Sequence, residues 1–295
     1  MKPRLRVSFS GGRTSAYMSI WLKQNMSDVY DMRFVFANTG WEHPDTLRFV
    51  NEVDTRYGLG VTWVESTPRR ELGKSSGHRV VVYETASRQG EPFEAVAAAY
   101  GLPNQTFGHC TRELKLNPIN DYFSSIGWAG TQTAIGIRAD ERRRVSKRAG
   151  AAGIIYPLVD MIPTDKQDVL DYFEGFDWDL RIPEHQGNCI GCFKKSDKKL
   201  LTLYREDPEN FAFPVRLDHM YRNVGPNNIP GPRRMYRGHR SAQDLVAEFA
   251  AASDDYHPPV DEGGCSESCE VYDTQQMPLF ARDTQRPTGH KESTP

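Results

Sequence analysis

Short apolar runs near the start of the chain are each followed by a polar, glycine-containing break, after which apolar residues recur every three or four positions. Leu5-Arg6-Val7-Ser8-Phe9 is a β-type run that breaks at Ser10-Gly11-Gly12, and from Thr14 to Gln24 the residues Tyr17, Ile20 and Trp21 return at helical spacing. A second run, Met32-Arg33-Phe34-Val35-Phe36-Ala37, ends at Asn38-Thr39-Gly40. Leu47, Val50, Val53 and Tyr57 then mark an amphipathic helix that starts near Pro44. Val61 to Val64 reads as a third strand, Thr133 to Ile137 as a fourth and Ile154 to Val159 as a fifth, with helical patterns around residues 90–100 and 117–126. Strands alternating with helices predict an α/β fold: an open, doubly wound parallel sheet covered on both faces.

Beyond residue 160 the pattern turns helical. Thr164 is placed to cap a helix in which Val169, Leu170 and Phe173 face inward, a second helix is predicted across residues 195–206, and Ser241 precedes a last one from Ala242 to Ala252. Few apolar residues follow Ser253, so the expected organisation is an α/β domain over 1–160, a helical, Cys-containing C-terminal extension packed on it over 161–252, and a disordered acidic tail over 253–295.

Composition narrows the class. With 295 residues, 38% hydrophobic and 26% charged, the chain has the proportions of a globular protein, and no apolar stretch approaches the roughly 18 to 20 residues that a membrane helix needs. No membrane association is therefore expected, and the start of the chain lacks a signal-peptide pattern, which makes the cytoplasm the expected compartment. A net charge of -2 does not exclude nucleic acid, because the basic residues are grouped. Arg138, Arg142, Arg143, Arg144, Lys147 and Arg148 form one group; Lys194, Lys195, Lys198 and Lys199 a second; Arg233, Arg234, Arg237 and Arg240, interleaved with Tyr236, a third. Each reads as a phosphate or polynucleotide contact, or as solvated helix surface.

The first strand-to-helix turn of an open parallel sheet is where backbone N–H groups and a helix N-terminus hold a phosphate, and Ser10-Gly11-Gly12-Arg13-Thr14-Ser15 occupies that place. The glycines let the backbone approach an anion, the hydroxyls add donors and Arg13 supplies charge. This stretch resembles the SGGxDS loop of the PP-loop ATP pyrophosphatases, in the branch that contains the phosphoadenylylsulfate (PAPS) reductases. Four further blocks carry the resemblance: Asn38 to Thr46, Cys110-Thr111-Arg112-Glu113-Leu114-Lys115 with Pro118, Gly136 to Glu141 with Arg143 or Arg144, and Tyr156 to Asp160. Thr14 stands where that family's loop has Asp, and Arg13 where Lys is more usual. The resemblance implies an adenine nucleotide-binding α/β fold in which ATP, or PAPS, is held by Ser10 to Ser15 with Asn38, Thr39, Gly40 and Glu42. It further implies that Mg²⁺ bridges the phosphates and that Cys110, Lys115 and Arg138 are the catalytic residues.

Five cysteines complete the candidate chemistry. Cys189-Ile190-Gly191-Cys192 is a C-x-x-C whose glycine lets two thiolates turn toward one ion, and in a cytosolic chain such spacing points to metal or sulfur chemistry before disulfides. With Cys110 these thiolates are the set for a [4Fe–4S] cluster, as in the cluster-dependent tRNA thiolation enzymes the chain resembles, or for Zn²⁺ completed by His109 or His185. Cys265 and Cys269 lie in the acidic tail as a resolving pair or as inert thiols, and Gln276-Met277-Pro278-Leu279-Phe280 resembles the pentapeptide that docks bacterial DNA-processing proteins onto the sliding clamp. The expected function is ATP-dependent adenylation followed by sulfur transfer to a nucleic acid, with a separate sulfur donor. The alternatives are a PAPS or adenylylsulfate reductase resolved by thioredoxin, and a nucleotide-binding accessory protein without catalysis.

Overall fold

The computed structural model describes residues 1–69, 71, 75–225, 231–253 and 255–257. Six strands, β1 (Arg4–Ser8), β2 (Asp31–Asn38), β3 (Thr62–Thr67), β4 (Gly77–Val81), β5 (Gln132–Ala134) and β6 (Ile154–Ile155), form one sheet in the order β4-β3-β2-β1-β5-β6. All pairs are parallel except β3 with β4. The helices are α1 (Arg13–Asn25), α2 (Pro44–Tyr57), α3 (Glu91–Tyr100), α4 (His109–Thr111), α5 (Asn117–Ser125), α6 (Pro157–Asp160), α7 (Lys166–Phe173), α8 (Asp197–Glu206), α9 (Ala212–Tyr221) and α10 (Ala242–Ala251). None of the described helices is long and apolar enough to cross a membrane.

The period of two in β2 sorts its side chains between two cores. Phe34 and Phe36 join Leu5, Val7, Phe49, Val53 and Phe173 on the face covered by α1, α2 and α7, whereas Val35 and Ala37 join Val64, Ile119, Phe123 and Ile135 beneath α5. A third cluster brings Trp41, Phe93 and Leu114 together with Leu200, Leu203, Phe211, Leu217, Leu245 and Phe249, so α8, α9 and α10 bury their apolar faces against α3 and the loop after β2. The chain leaves β1 toward β2 and β3 on one side and reaches β5 and β6 on the other. The loops that follow β1 and β5 therefore diverge and open a crevice at the carboxyl edge, the place where α/β sheets bind ligands.

Several expectations are corrected. β4 has no counterpart in the sequence reading, and it makes the sheet mixed: it is an antiparallel edge strand with mostly exposed or half-exposed residues, so it lacks the apolar run of a buried strand. The fifth predicted strand stops at Ile155, because Pro157 cannot donate to a ladder and instead opens α6. The fourth stops at Ala134, just before the residues that turn toward the glycine loop. Asp165, not Thr164, caps α7, in a capping box with Asp168, while the Thr164 hydroxyl donates to Ile162 O. Leu170 faces outward while Val169 and Phe173 are buried, and α9 was not foreseen. Of the predicted tail, Asp254 and residues 258–295, with Cys265, Cys269 and the Gln276–Phe280 motif, lie outside the described residues.

One buried carboxylate sets a pH signature for the helical extension. Asp218 in α9 accepts from the Ala242 amide at the start of α10, while its Oδ1 is buried without a hydrogen-bond partner. Burial pushes its pKa up from 3.8 to about 6. Between those values the folded chain holds a proton that the unfolded chain has released, so the contribution of Asp218 to stability is fully present below about pH 4 and is lost as pH rises through about 6. The shift corresponds to about 3 kcal/mol. Asp218→Asn should remove this component: the difference in urea-unfolding free energy between variant and wild type should grow by about that amount from pH 4 to pH 6.5. Parallel profiles would refute the assignment.

Candidate active site at the carboxyl edge of the sheet

The glycine loop follows β1 and leads directly into α1. Gly11 has φ +88°, and a Cβ there would lie 2.8 Å from Thr46 Cγ2 and 3.2 Å from Phe36 Cε2, so both backbone conformation and space require glycine. Gly12 precedes α1 with an extended backbone; no side chain caps the helix, and its first turn carries no acidic residue. The positive end of the helix dipole is thus left uncompensated by protein groups. Ser15 ties the loop to itself, its hydroxyl 2.9 Å from Gly12 O and 2.9 Å from Ser10 Oγ, while accepting from Ser10 N at 3.1 Å.

The cations divide differently from expectation. Arg13 turns away from the loop: its guanidinium donates to both carboxylate oxygens of Asp179 at 2.8 Å and also to Leu180 O, so its charge is spent tying α1 to the segment after α7. Arg138, reached from β5, is buried, and its Nη1 donates to Thr14 Oγ1 at 3.1 Å while Asp140 holds the rest of the fork at 2.9 and 3.2 Å. Arg138 rather than Arg13 is therefore the guanidinium packed on the glycine loop.

Beside it, the loop after β2 rests on a buried carboxylate. Glu65 in β3, opposite Asn38 in the parallel register, is fully buried. Its oxygens accept from Asn38 Nδ2 at 2.7 Å, Ser87 N at 2.7 Å, Ser87 Oγ at 2.9 Å and Arg79 at 2.6 and 2.9 Å. Asn38 Oδ1 in turn accepts from Gly40 N at 3.1 Å. Every lone pair of a buried charge is engaged, which is the condition for a rigid polar network. Thr39, Gly40 and Glu42 are held by it. The Thr39 hydroxyl donates to Glu42 Oε1 at 2.7 Å and its oxygen lies 3.4 Å from Cys189 Sγ.

That last contact joins the loop to the C-x-x-C segment, where Glu42 and Cys189 form an isolated β-bridge. Cys110, Cys189 and Cys192 line one narrow cavity of ≈ 20 Å³ together with Thr39, Trp41 and Lys115. Cys110 is half-buried and the other two are buried. Lys115 arrives from a π-helical turn, Arg112–Leu116, inserted between α4 and α5; such single-turn bulges re-aim side chains and recur at functional sites. Burial pushes the Cys189 thiol well above its ordinary range; Glu42 and Cys192 add to the rise, while Lys115 and the Thr39 hydroxyl oppose it. Burial likewise raises Glu42 against the pull of Lys115 and Thr39.

Gly191 serves a purpose other than flexibility. A Cβ there would fall 2.6 Å from Trp41 Cζ2 and 2.9 Å from Cη2, so the indole packs onto the C-x-x-C backbone through the missing side chain, and Tyr236 OH donates to Gly191 O at 2.8 Å. Lys195, which the sequence places among surface cations, is buried; its Nζ donates to His185 O at 2.5 Å and Ile190 O at 2.7 Å, bracing the loop from behind. Neither proposed zinc-completing histidine faces the thiols as a free ligand. His185 Nε2 sits 2.7 Å from Glu206, and the His109 nitrogens lie 3.1 and 3.2 Å from the carbonyls of Phe107 and Gly101. Among the described residues no three His, Cys, Asp or Glu side chains are already gathered closely enough to hold an ion. Glu65 and Asp179 went unnoticed in the sequence because their roles depend on partners 14 to 166 residues away, and Lys195 was read only as one of a basic group; the sole local signal was a carboxylate directly after the apolar run of β3.

Comparison with known proteins gives the family of the chain. Residues 4–151 match the phosphoadenosine phosphosulfate reductase domain. Over 292 residues the chain is 36% identical to the uncharacterized nin region protein ORF290 of Escherichia phage lambda, covering 94% of this chain and 98% of that protein. An uncharacterized protein of Methanocaldococcus jannaschii is 24% identical over 165 residues, 55% of this chain and 29% of its own length. Among solved structures, the phosphate complex of phosphoadenylyl-sulfate (PAPS) reductase from Candida auris is similar at a TM-score of 0.35 and 17% identity, covering 58% of this chain and 71% of that one.

The packing of Trp41 on Gly191 is directly testable. Gly191→Ala should displace the indole or the C-x-x-C loop at a cost of about 1–3 kcal/mol, read as a lower unfolding midpoint together with a changed tryptophan emission spectrum. An unchanged midpoint and spectrum would mean that the two segments are not in contact.

Proposed function

The chain belongs to the phosphoadenosine phosphosulfate reductase domain family, and from that membership we propose that it is an adenine-nucleotide enzyme that activates an oxygen of a nucleic acid with ATP and replaces it by sulfur. The observation that carries this reading is the convergence of Cys110, Cys189 and Cys192 on one cavity with Thr39 and Lys115, at the sheet edge where the glycine loop opens. In the first step a carbonyl oxygen of the substrate attacks the α-phosphorus of ATP and the bond to pyrophosphate breaks. In the second, a hydrosulfide-level sulfur from a separate donor forms the C–S bond, and AMP leaves with the electron pair of the broken C–O bond.

The chain's own groups supply positioning and charge. Amides at the start of α1 and the loop hydroxyls receive phosphate oxygens, with Arg138 and Lys115 as the nearby cations stabilising the pyrophosphate as it departs; Mg²⁺, when bound, would add positive charge to the same task. Thr39 and Glu42, in the loop after β2, touch Cys189, and Glu65 holds that loop still. The soft thiolate set fits a [4Fe–4S] cluster, with Zn²⁺ as the alternative, and such a group would supply a site for binding and activating sulfur. Loading it requires the three cysteine side chains to rotate toward a common point and Cys189 to release its proton, which the charge of Lys115 favours. Docking on a sliding clamp through Gln276–Phe280 is part of the proposal on sequence alone.

The family match itself favours a second reading, reduction of PAPS: a cysteine thiolate attacks the sulfur and the adenosine bisphosphate leaves, and thioredoxin then attacks the resulting cysteine S-sulfonate, forming a disulfide with the cysteine and releasing sulfite. Anaerobically purified protein should release pyrophosphate and AMP from ATP in a reaction stimulated by DNA or tRNA. Lys115→Met should lower the rate by about 100-fold, and Cys110→Ala, Cys189→Ala and Cys192→Ala should each lose bound iron. Sulfite released from PAPS without ATP cleavage would replace this function with the reductase. Silence with both substrates would sink both, leaving a nucleotide-binding accessory protein.

A further inference from the structure

We propose that Arg142, Arg143, Lys147 and Arg148 form a docking ridge for the phosphodiester backbone of the nucleic acid, at the lip of the nucleotide crevice. The proposal rests on the reading that the substrate is a nucleic acid, and adds where the polymer lies. All four side chains are exposed. Elsewhere among the described residues most guanidinium groups are occupied: Arg56, Arg79, Arg216 and Arg240 hold carboxylates, and Arg88 and Arg205 hold backbone carbonyls. By contrast, the side chains of Arg142, Arg143 and Arg148 make no hydrogen bond, ion pair or ring contact among the described residues, and Arg222 is the one other described arginine of which this is true. Three of four unengaged arginines thus fall within seven consecutive residues.

The platform beneath them is fixed. It starts at Arg138, bonded to Thr14 of the glycine loop, and is held by Ala139 N to Thr164 O at 2.8 Å, by Arg144 to Glu141 at 2.7 Å and by Ser146 N to the Tyr156 hydroxyl at 3.2 Å. Val145 packs against the core beneath α5. The buried positions anchor the turn while the cations between them project outward. From Arg138 to Arg148 there are six cations against two carboxylates in a chain whose net charge is -2. A small anion needs donors converging on a concave point; long side chains spread along an exposed turn instead present a line of charge, which suits an extended polyanion. The position, continuous with the loop after β5, lets a strand held there pass the crevice.

The test is fluorescence anisotropy of the full chain with labelled duplex DNA, single-stranded DNA and tRNA from 50 to 200 mM salt. Arg142→Gln/Arg143→Gln and Lys147→Gln/Arg148→Gln are compared with Arg33→Gln, an equal type of charge loss near the amino end of β2, with circular dichroism melts verifying the fold. Each ridge pair should weaken binding about 10-fold at 100 mM salt and reduce the slope of log K against log salt by about 2, leaving ATP binding and polymer-independent pyrophosphate release unchanged. If the ridge variants bind as Arg33→Gln does, the ridge is refuted while the sulfur-transfer reading stands. Wild-type protein that binds none of the three polymers refutes both, and equal binding of poly-glutamate would show that an acidic protein is the partner instead.

Discussion

The parting of the chain at β1 is the constraint on which the rest of the molecule depends. Because β1 pairs in parallel with β2 on one side and β5 on the other, the loops after these strands emerge at one edge and cannot cover one another. The approach is close: a Cβ at Gly136, after β5, would lie 3.0 Å from the Ser15 Cα at the start of α1. Gly11 is pressed with similar closeness onto α2 and Phe36. The crevice is therefore walled by backbone and by buried side chains, which keeps its amides in place at little entropic cost when a ligand arrives.

Around this edge the protein buries charge and satisfies it. Glu65 is the extreme case, completely buried yet met by five hydrogen-bond contacts from Asn38, Ser87 and Arg79. Breaking such a network by removing one partner leaves an uncompensated charge, so it acts as a rigid support for Asn38 to Glu42 more than as a source of net stability. Glu113 plays a comparable part on the other side of Lys115, accepting from Ser76, Arg112 and Asn117. The π-helical turn between α4 and α5 is thereby pinned, and Lys115 faces Glu42 and Cys189 as their common countercharge.

The thiol cavity lies within the third core, where the loop after β2, α3 and the π-helical turn meet the segment leading to α8. Trp41, Phe93 and Leu114 come from the sheet and its helices, while Cys189, Cys192 and Phe193 come from the segment leading to α8. Lys195 and Tyr236 brace that segment through backbone carbonyls. The cavity is backed by aromatic packing and joined to the loop after β2 through the Thr39 hydroxyl, the Glu42–Cys189 bridge and the bond from Ile190 N to Trp41 O.

Local pattern determined the α/β class, the positions of β1, β2 and β3, the helices α1 and α2, and the motif blocks, because each is written in the spacing of neighbouring residues: Phe34, Val35 and Phe36 alternate between two buried faces, and Pro44 and Gly58 bracket α2. The family resemblance named Cys110, Lys115, Arg138 and Glu42, and the C-x-x-C spacing named Cys189 and Cys192. Edge strand β4 escaped it because a half-exposed strand carries no continuous apolar run, and the ends of β5 and β6 escaped it because Gly136 and Pro157 act through packing and a missing donor. Tertiary structure alone decided which cations serve the site. Arg13 is committed to Asp179 and Lys195 to backbone carbonyls, whereas the side chains of Arg142, Arg143 and Arg148 have no partner among the described residues. The reason is physical: a side chain's charge is the same wherever it stands in a sequence, but the partner that neutralises it is brought up by the fold.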